Sequence, residues 1–135
     1  MSIGKVELLS LVGGPARLRE IIERFYERLF SDLLVGFFFE ASDQEKLVES
    51  QVDYLLTHLG DHRGRYQGPS IRHAHAGLPI TSGHFDRRHQ ILREVLLEYE
   101  VEDSLREAWL SFDLALRPLV VTEGEKNRSA VVRPK

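Results

Sequence analysis

The stretch Pro15-Ala16-Arg17-Leu18-Arg19-Glu20-Ile21-Ile22-Glu23-Arg24-Phe25-Tyr26-Glu27-Arg28-Leu29-Phe30 decides the fold class. Leu18, Ile21, Ile22, Phe25 and Leu29 recur at i, i+3, i+4, i+7 and i+11, the period of one helix face, while Arg and Glu fill the other faces. Pro15 stands in the first turn, where its missing N–H would have no helical partner anyway, and Gly13-Gly14 breaks the shorter apolar run Val6–Val12 ahead of it.

Outward from this helix the same period returns. Ser42 with Glu45 forms a capping-box pattern opening a helix to Leu59, with Leu47, Gln51, Tyr54, Leu55 and His58 along one stripe. Gly60 to Pro69 reads as a loop, and Ser70–Ala76 as one or two helical turns closed by Gly77 and Pro79. Thr81 or Ser82 begins a helix through Phe85, Leu92, Val95, Leu96 and Tyr99 to about Glu100. Leu105, Trp109, Phe112, Leu116 and Leu119 mark a last helix, bent or ended near Pro118. From Thr122 to Lys135 the chain is polar without an apolar face, and a frayed tail is expected. No strand period, repeat or low-complexity segment interrupts the pattern. The class is all-α, with four substantial helices.

Composition narrows the function. The chain has 135 residues, 42% hydrophobic and 29% charged, enough for one packed domain and too apolar for a disordered one. A net charge of -3 leaves no basic footprint for nucleic acid. Zero cysteines exclude disulfide frameworks, cysteine zinc sites, iron–sulfur clusters and thiol nucleophiles. No apolar run approaches the roughly 18–20 residues that cross a bilayer, and the first residues lack the order of a secretory signal, so no membrane association and a cytoplasmic location are expected. Gly13-Gly14 lacks the lysine of a phosphate loop, no serine elbow is present, and the carboxylates fall on predicted solvent faces.

Four features do not suit a plain helical bundle. Gln51 lies on an apolar stripe, where its amide needs partners unless it reaches water at the helix edge. Tyr26 adjoins core Phe25 and carries a hydroxyl that must be satisfied, as many core tyrosines do structurally. Phe37, Phe38 and Phe39 cannot all face one core, because successive helical side chains turn by about 100°; two inside and one half exposed is the plain arrangement. His73 and His75, two apart, point nearly opposite ways on a helix, so at most one faces the interior. A lone interior histidine is most often a satisfied core residue and is too little for zinc, but it suffices as the axial ligand of a haem.

In order and spacing, these residues resemble the truncated haemoglobins, specifically group I. The likeness runs from Gly13-Gly14 through Phe25-Tyr26, Asp32, Phe37-Phe38, Leu47-x3-Gln51, Tyr66-x-Gly68, His75-x-Gly77, Leu78-x-Ile80-Thr81 and His84-Phe85-Asp86 to about Val121. It implies a truncated globin-like two-over-two α-helical sandwich over residues 1–121, followed by a flexible tail over 122–135. It implies haem b, held non-covalently, with His75 as the iron ligand and Phe38 packed on the porphyrin. Tyr26 and Gln51 become the distal polar pair, with Leu47 where animal globins carry a distal histidine and with Phe25, Tyr54 and Leu55 shaping the distal wall. Lys46 and Arg72 are candidates to pair with the propionates, and Phe85 lies on the haem side of its helix.

The implied ligands are dioxygen, nitric oxide and carbon monoxide. The implied function is reversible dioxygen binding, with nitric oxide dioxygenase activity if an external reductase supplies electrons. The alternatives are a non-catalytic storage, delivery or sensing module and a haem-free helical interaction protein. The stretch Gly60–Arg65 is longer than the family's pattern, and Arg88 stands where that pattern has an apolar side chain. An unpaired arginine there is untenable, so Arg88 is expected at the haem edge on a propionate, or else the helix is rotated and His89 or Ile91 lines the pocket.

Overall fold

The computed structural model describes residues 5–58 and 75–122. Its helices are α1 (Lys5–Val12), α2 (Pro15–Phe30), α3 (Gln44–His58), α4 (Ser82–Glu98), α5 (Asp103–Leu114) and α6 (Arg117–Val120), with a 3-10 turn at Gly36–Phe39. No strand occurs among the described residues. The helix expected from periodicity at α2 buries Leu18, Ile21, Ile22, Phe25, Tyr26 and Leu29 on one side.

Helix α2 packs against both α3 and α4, α4 against α5, and α1 against α2 and α5. The resulting main core joins the apolar side of α2 to Leu55, Ile91, Leu92, Val95, Leu96, Leu105 and Trp109. Fully burying each such side chain contributes about 1.5–3 kcal/mol, which is what holds four amphipathic helices together. A smaller cluster of Ile80, Phe85, Leu116, Val120 and Val121 forms separately, and Phe38 packs against both.

Short polar devices shape the connections. Asp32 Oδ2 accepts the N–H groups of Leu34 (3.0 Å) and Val35 (3.2 Å), turning the chain out of α2. Gly36 then passes so close to α2 that a Cβ would lie 2.7 Å from the Phe30 carbonyl oxygen, so this corner requires glycine. Phe37 is left half exposed while Phe38 and Phe39 turn inward, the plain arrangement of the three.

Several expectations are corrected. The cap of α3 is Asp43, whose Oδ1 accepts from the N–H groups of Glu45 (3.0 Å) and Lys46 (3.3 Å); Ser42 lies one residue too early. The last helix does not run on to Pro118. It stops at Leu114, and Pro118 sits in the first turn of α6, the helical position that tolerates its missing N–H. Thr122 does not fray: its N–H donates to Ile80 O (2.9 Å), its Oγ accepts from Ile80 N–H (3.1 Å), and its hydroxyl donates to Leu78 O. The rest of the expected tail, and the loop and turn expected from Gly60 to Ala74, lie outside the described residues.

Candidate functional site

Between the two apolar clusters lies a cavity of about 350 Å³, within the size range of pockets that enclose small ligands. Each wall follows from a helix period. Helix α3 presents Leu47, Gln51 and Tyr54, at i, i+4 and i+7; α2 contributes Tyr26; and α4 contributes His84, Phe85 and Arg88. Phe38 and Phe39 close the corner, while Leu116 and Val120 form the floor with Ile80.

His75 also lines this cavity, just ahead of a turn. Gly77, at φ 87°, reverses the chain just after it, a backbone conformation that side chains disfavour. Leu78 N–H closes the turn on His75 O at 3.2 Å, and the bonds from Thr122 fix the strap that follows.

A second imidazole, His84, also lines the cavity, but its chemistry is already assigned. In the N-terminal cap of α4, Thr81 Oγ accepts from His84 N–H (3.1 Å), and Thr81 N–H donates to His84 Nδ1 (3.0 Å). A backbone N–H can only donate, so Nδ1 holds the lone pair and the ring proton resides on Nε2. His84 therefore faces a ligand as a donor, with Phe38 set edge-on to it at 5.0 Å. No three His, Cys, Asp or Glu side chains converge as a metal site among the described residues. A cavity with apolar walls and one imidazole not committed to a helix cap suits a flat macrocycle that brings its own equatorial donors, and a bare metal ion poorly. The residues fit a haem.

Beneath the cavity is a buried polar cluster. Arg88 Nη1 donates to both oxygens of Asp113 (2.7 and 2.9 Å), and His89 Nδ1 lies 2.8 Å from Asp113 Oδ2. Burial alone would push the Asp113 carboxyl up, but the Arg88 charge and the hydrogen bonds from His89 and Arg88 outweigh it and hold the carboxyl below its usual range. Burial would likewise lower the Arg88 guanidinium, and Asp113 more than restores it. An ionised carboxylate only accepts, so His89 Nδ1 is the donor. A narrow crevice lined by Phe25, Gln51, Leu55, Arg88 and Asp113 runs beside the main cavity.

The family model for bacterial-like globins matches residues 7–117. The chain belongs to the bacterial-like globins.

This globin is similar to group 1 truncated haemoglobins. The group 1 truncated haemoglobin of Tetrahymena thermophila is 29% identical over 94 residues, 70% of this chain and 77% of that protein. The group 1 truncated haemoglobin of Mycolicibacterium paratuberculosis is 31% identical over 74 residues, 55% of this chain and 54% of that protein. Among solved structures, the 2/2 haemoglobin of a Synechococcus species, in the cyanomet state with covalently attached haem, is 29% identical with TM-score 0.72, covering 78% of this chain and 89% of that one. The Fe(III) truncated haemoglobin of Tetrahymena pyriformis, at 24% identity and TM-score 0.74, covers 84% and 97% and shares the fold. The two-over-two architecture expected from the sequence is the one found.

In this globin His75, Tyr26, Gln51, Phe38, Leu47, Tyr54, Phe85 and Arg88 line one cavity. Phe25 and Leu55, expected on the distal wall, line the side crevice instead, one helical step behind it. Lys46 is exposed and does not line the cavity, and Arg72 and His73 lie outside the described residues. His89 and Ile91 are buried away from the cavity, so α4 is not rotated to bring them in. The anion on Arg88 comes from within the chain, where a propionate was expected. Asp113 and Asp32 correct the view that the carboxylates face solvent, their side chains being 5% and 8% exposed.

Sequence reasoning passed over two residues whose signals were present. Asp113 falls between Trp109 and Leu116 at i+4 and i+7, a charge on the apolar stripe that needed a buried cation. His84 stands three residues after Thr81, where a capping box ordinarily carries Glu or Gln.

Proposed function

We propose that this globin binds haem b non-covalently through His75, takes up dioxygen reversibly beside Tyr26 and Gln51, and, given an external reductase, converts nitric oxide to nitrate. The observation that carries this reading is the meeting of His75, Tyr26 and Gln51, from three separate segments, in one largely apolar cavity. Bound haem would supply a redox-active iron for diatomic gases, with four of its positions filled by the porphyrin.

The chain's own part is ligation, donation and exclusion of water. His75 is assigned to ligation, and His84, whose Nδ1 is held in the helix cap, to donation through Nε2–H. The Tyr26 ring is held by Phe25 (5.4 Å between centroids) and edge-on by Phe39 (6.2 Å), so its hydroxyl acts from a fixed ring. Its O–H and the Gln51 amide can each donate to a ligand that gains negative charge. The absence of cysteine removes the thioether route to covalent attachment.

His75→Ala should abolish the Soret band of the reconstituted ferrous protein, and His73→Ala should leave it. The reverse pattern would sink the assignment. A hydrogen bond to a charged acceptor is worth about 1.5–3 kcal/mol, so Tyr26→Phe should speed dioxygen dissociation roughly 10- to 150-fold and that of carbon monoxide far less. Equal effects on both gases would make Tyr26 a steric gate. Haem that resists acid extraction would overturn the non-covalent reading. Nitric oxide consumption no faster with a reductase than without one would leave storage or delivery as the function.

A further inference from the structure

Arg87 and Arg88 are neighbours on α4 and hold their carboxylates in different ways. Arg87 uses the edge on which a guanidinium carries two parallel donors: Nε and Nη2 bind Asp32 Oδ1 at 2.9 and 2.7 Å. Arg88 holds Asp113 end-on, through Nη1 alone. Its Nε–Nη2 edge donates to no group among the described residues.

That edge is not sealed in packed protein. Among the described residues, the one fully enclosed side-chain nitrogen or oxygen without a hydrogen-bond partner is His89 Nε2. The edge of Arg88 therefore opens onto space, and Arg88 lines both the main cavity and the side crevice, as does Gln51. Tyr26 lines the same cavity as Arg88. The site is a cation anchored from behind, with two unused parallel donors, a phenol and an amide around one partly dry space.

We propose that Arg88, anchored on Asp113, makes the compartment beside Tyr26 and Gln51 a receptor for small planar monovalent oxyanions of the nitrite or nitrate class. Two parallel N–H donors match two oxygens of such an ion, and in a low-dielectric space the charge-assisted bonds are strong. A neutral diatomic gas gains little from this edge. Asp113 offsets the net charge of Arg88, so what the edge offers a further anion is a pair of aligned, positively polarised N–H groups held in place by that carboxylate. This inference rests on the haem reading for the part of the cavity that a macrocycle fills, while the anion site uses the chain's own residues.

The test titrates nitrite into the ferric protein and carbon monoxide into the ferrous protein, following absorbance. The double variant Arg88→Gln, Asp113→Asn removes both charges without stranding either. It should bind nitrite about 10- to 100-fold more weakly and carbon monoxide within about threefold of the parent, the range of a charge-assisted hydrogen bond. Unchanged nitrite affinity, or equal changes for the two ligands, would overturn the proposal. Arg88→Lys decides the matter if the double variant does not fold. It keeps the charge and lacks the two-donor edge, so nitrite binding should weaken by about three- to tenfold; binding as tight as in the parent would overturn the role of the edge. If the parent shows no Soret band, the haem reading fails on its own, and calorimetric titration of nitrite into the haem-free protein still decides the anion site.

Discussion

Arg87 and Arg88 share a helix and a partner type, yet they work in different surroundings. The Arg87–Asp32 pair sits at the rim, with side chains 37% and 8% exposed, and ties the corner after α2 to α4. The Arg88–Asp113 pair ties α4 to α5 from inside, with side chains 19% and 5% exposed. The rim pair keeps solvent on the Arg87 side, and Asp32 also accepts the N–H groups of Leu34 and Val35, so Asp32 is not left without partners when Arg87 is removed. The inner pair has given up its water, so each charge depends on the other and its value shows mainly when one is removed. Adjacent positions on one helix can thus carry a tether and an obligate pair.

The largest effect should come from breaking the inner pair on one side. Arg88→Leu leaves Asp113 charged and buried, and should cost about 3–5 kcal/mol of unfolding free energy in denaturant titration. Arg88→Leu with Asp113→Leu together should recover most of it. A double variant as unstable as the single would mean that Arg88 matters by shape, through its position over the rings of Phe25 (5.3 Å) and Phe85 (5.9 Å), and not by charge.

Acid separates the two pairs next. Both Asp113 and Asp32 have carboxyls held below their usual range, so between the folded and unfolded values the unfolded chain binds more protons. Their contribution is full above the unfolded value of about 4 and is lost as pH falls through the folded values. For Asp32 the Arg87 hydrogen bonds are the leading cause. Stability measured from pH 6 downward should therefore fall less steeply in Arg88→Gln, Asp113→Asn than in the parent. Parallel curves would show that Asp113 is not ionised in the folded chain.

A smaller loss is expected at the rim. Asp32→Ala removes both the turn bonds to Leu34 and Val35 and the Arg87 pair, and should cost about 1–2 kcal/mol, the scale of a lost cap. Arg87→Leu, the smallest change, leaves Asp32 with its turn bonds from Leu34 and Val35, and should cost under about 1 kcal/mol. If Arg87→Leu proved as damaging as Arg88→Leu, the contrast between rim and interior would not hold.

The part of this molecule legible in the sequence was whatever repeats locally. The period of Leu18, Ile21, Ile22, Phe25 and Leu29 settles α2 and its buried side, because a helix face depends only on spacing along the chain. The same rule set Leu47, Gln51 and Tyr54 on one side of α3, and the order of such pieces carried the likeness to truncated haemoglobins. The cap of α3 was missed by one residue because Ser42 and Asp43 are both good caps, and only the backbone path chooses between them. Tertiary structure alone decided what the charged residues near the cavity meet. Arg88 and Asp113 are 25 positions apart, and nothing between them in sequence marks them as partners. They meet because α4 packs on α5, and a buried charge accepts whichever counter-charge that packing delivers. Spacing along the chain could say that Arg88 needs an anion; the packing of two helices determined that the anion is Asp113, and so which donors were left for a ligand.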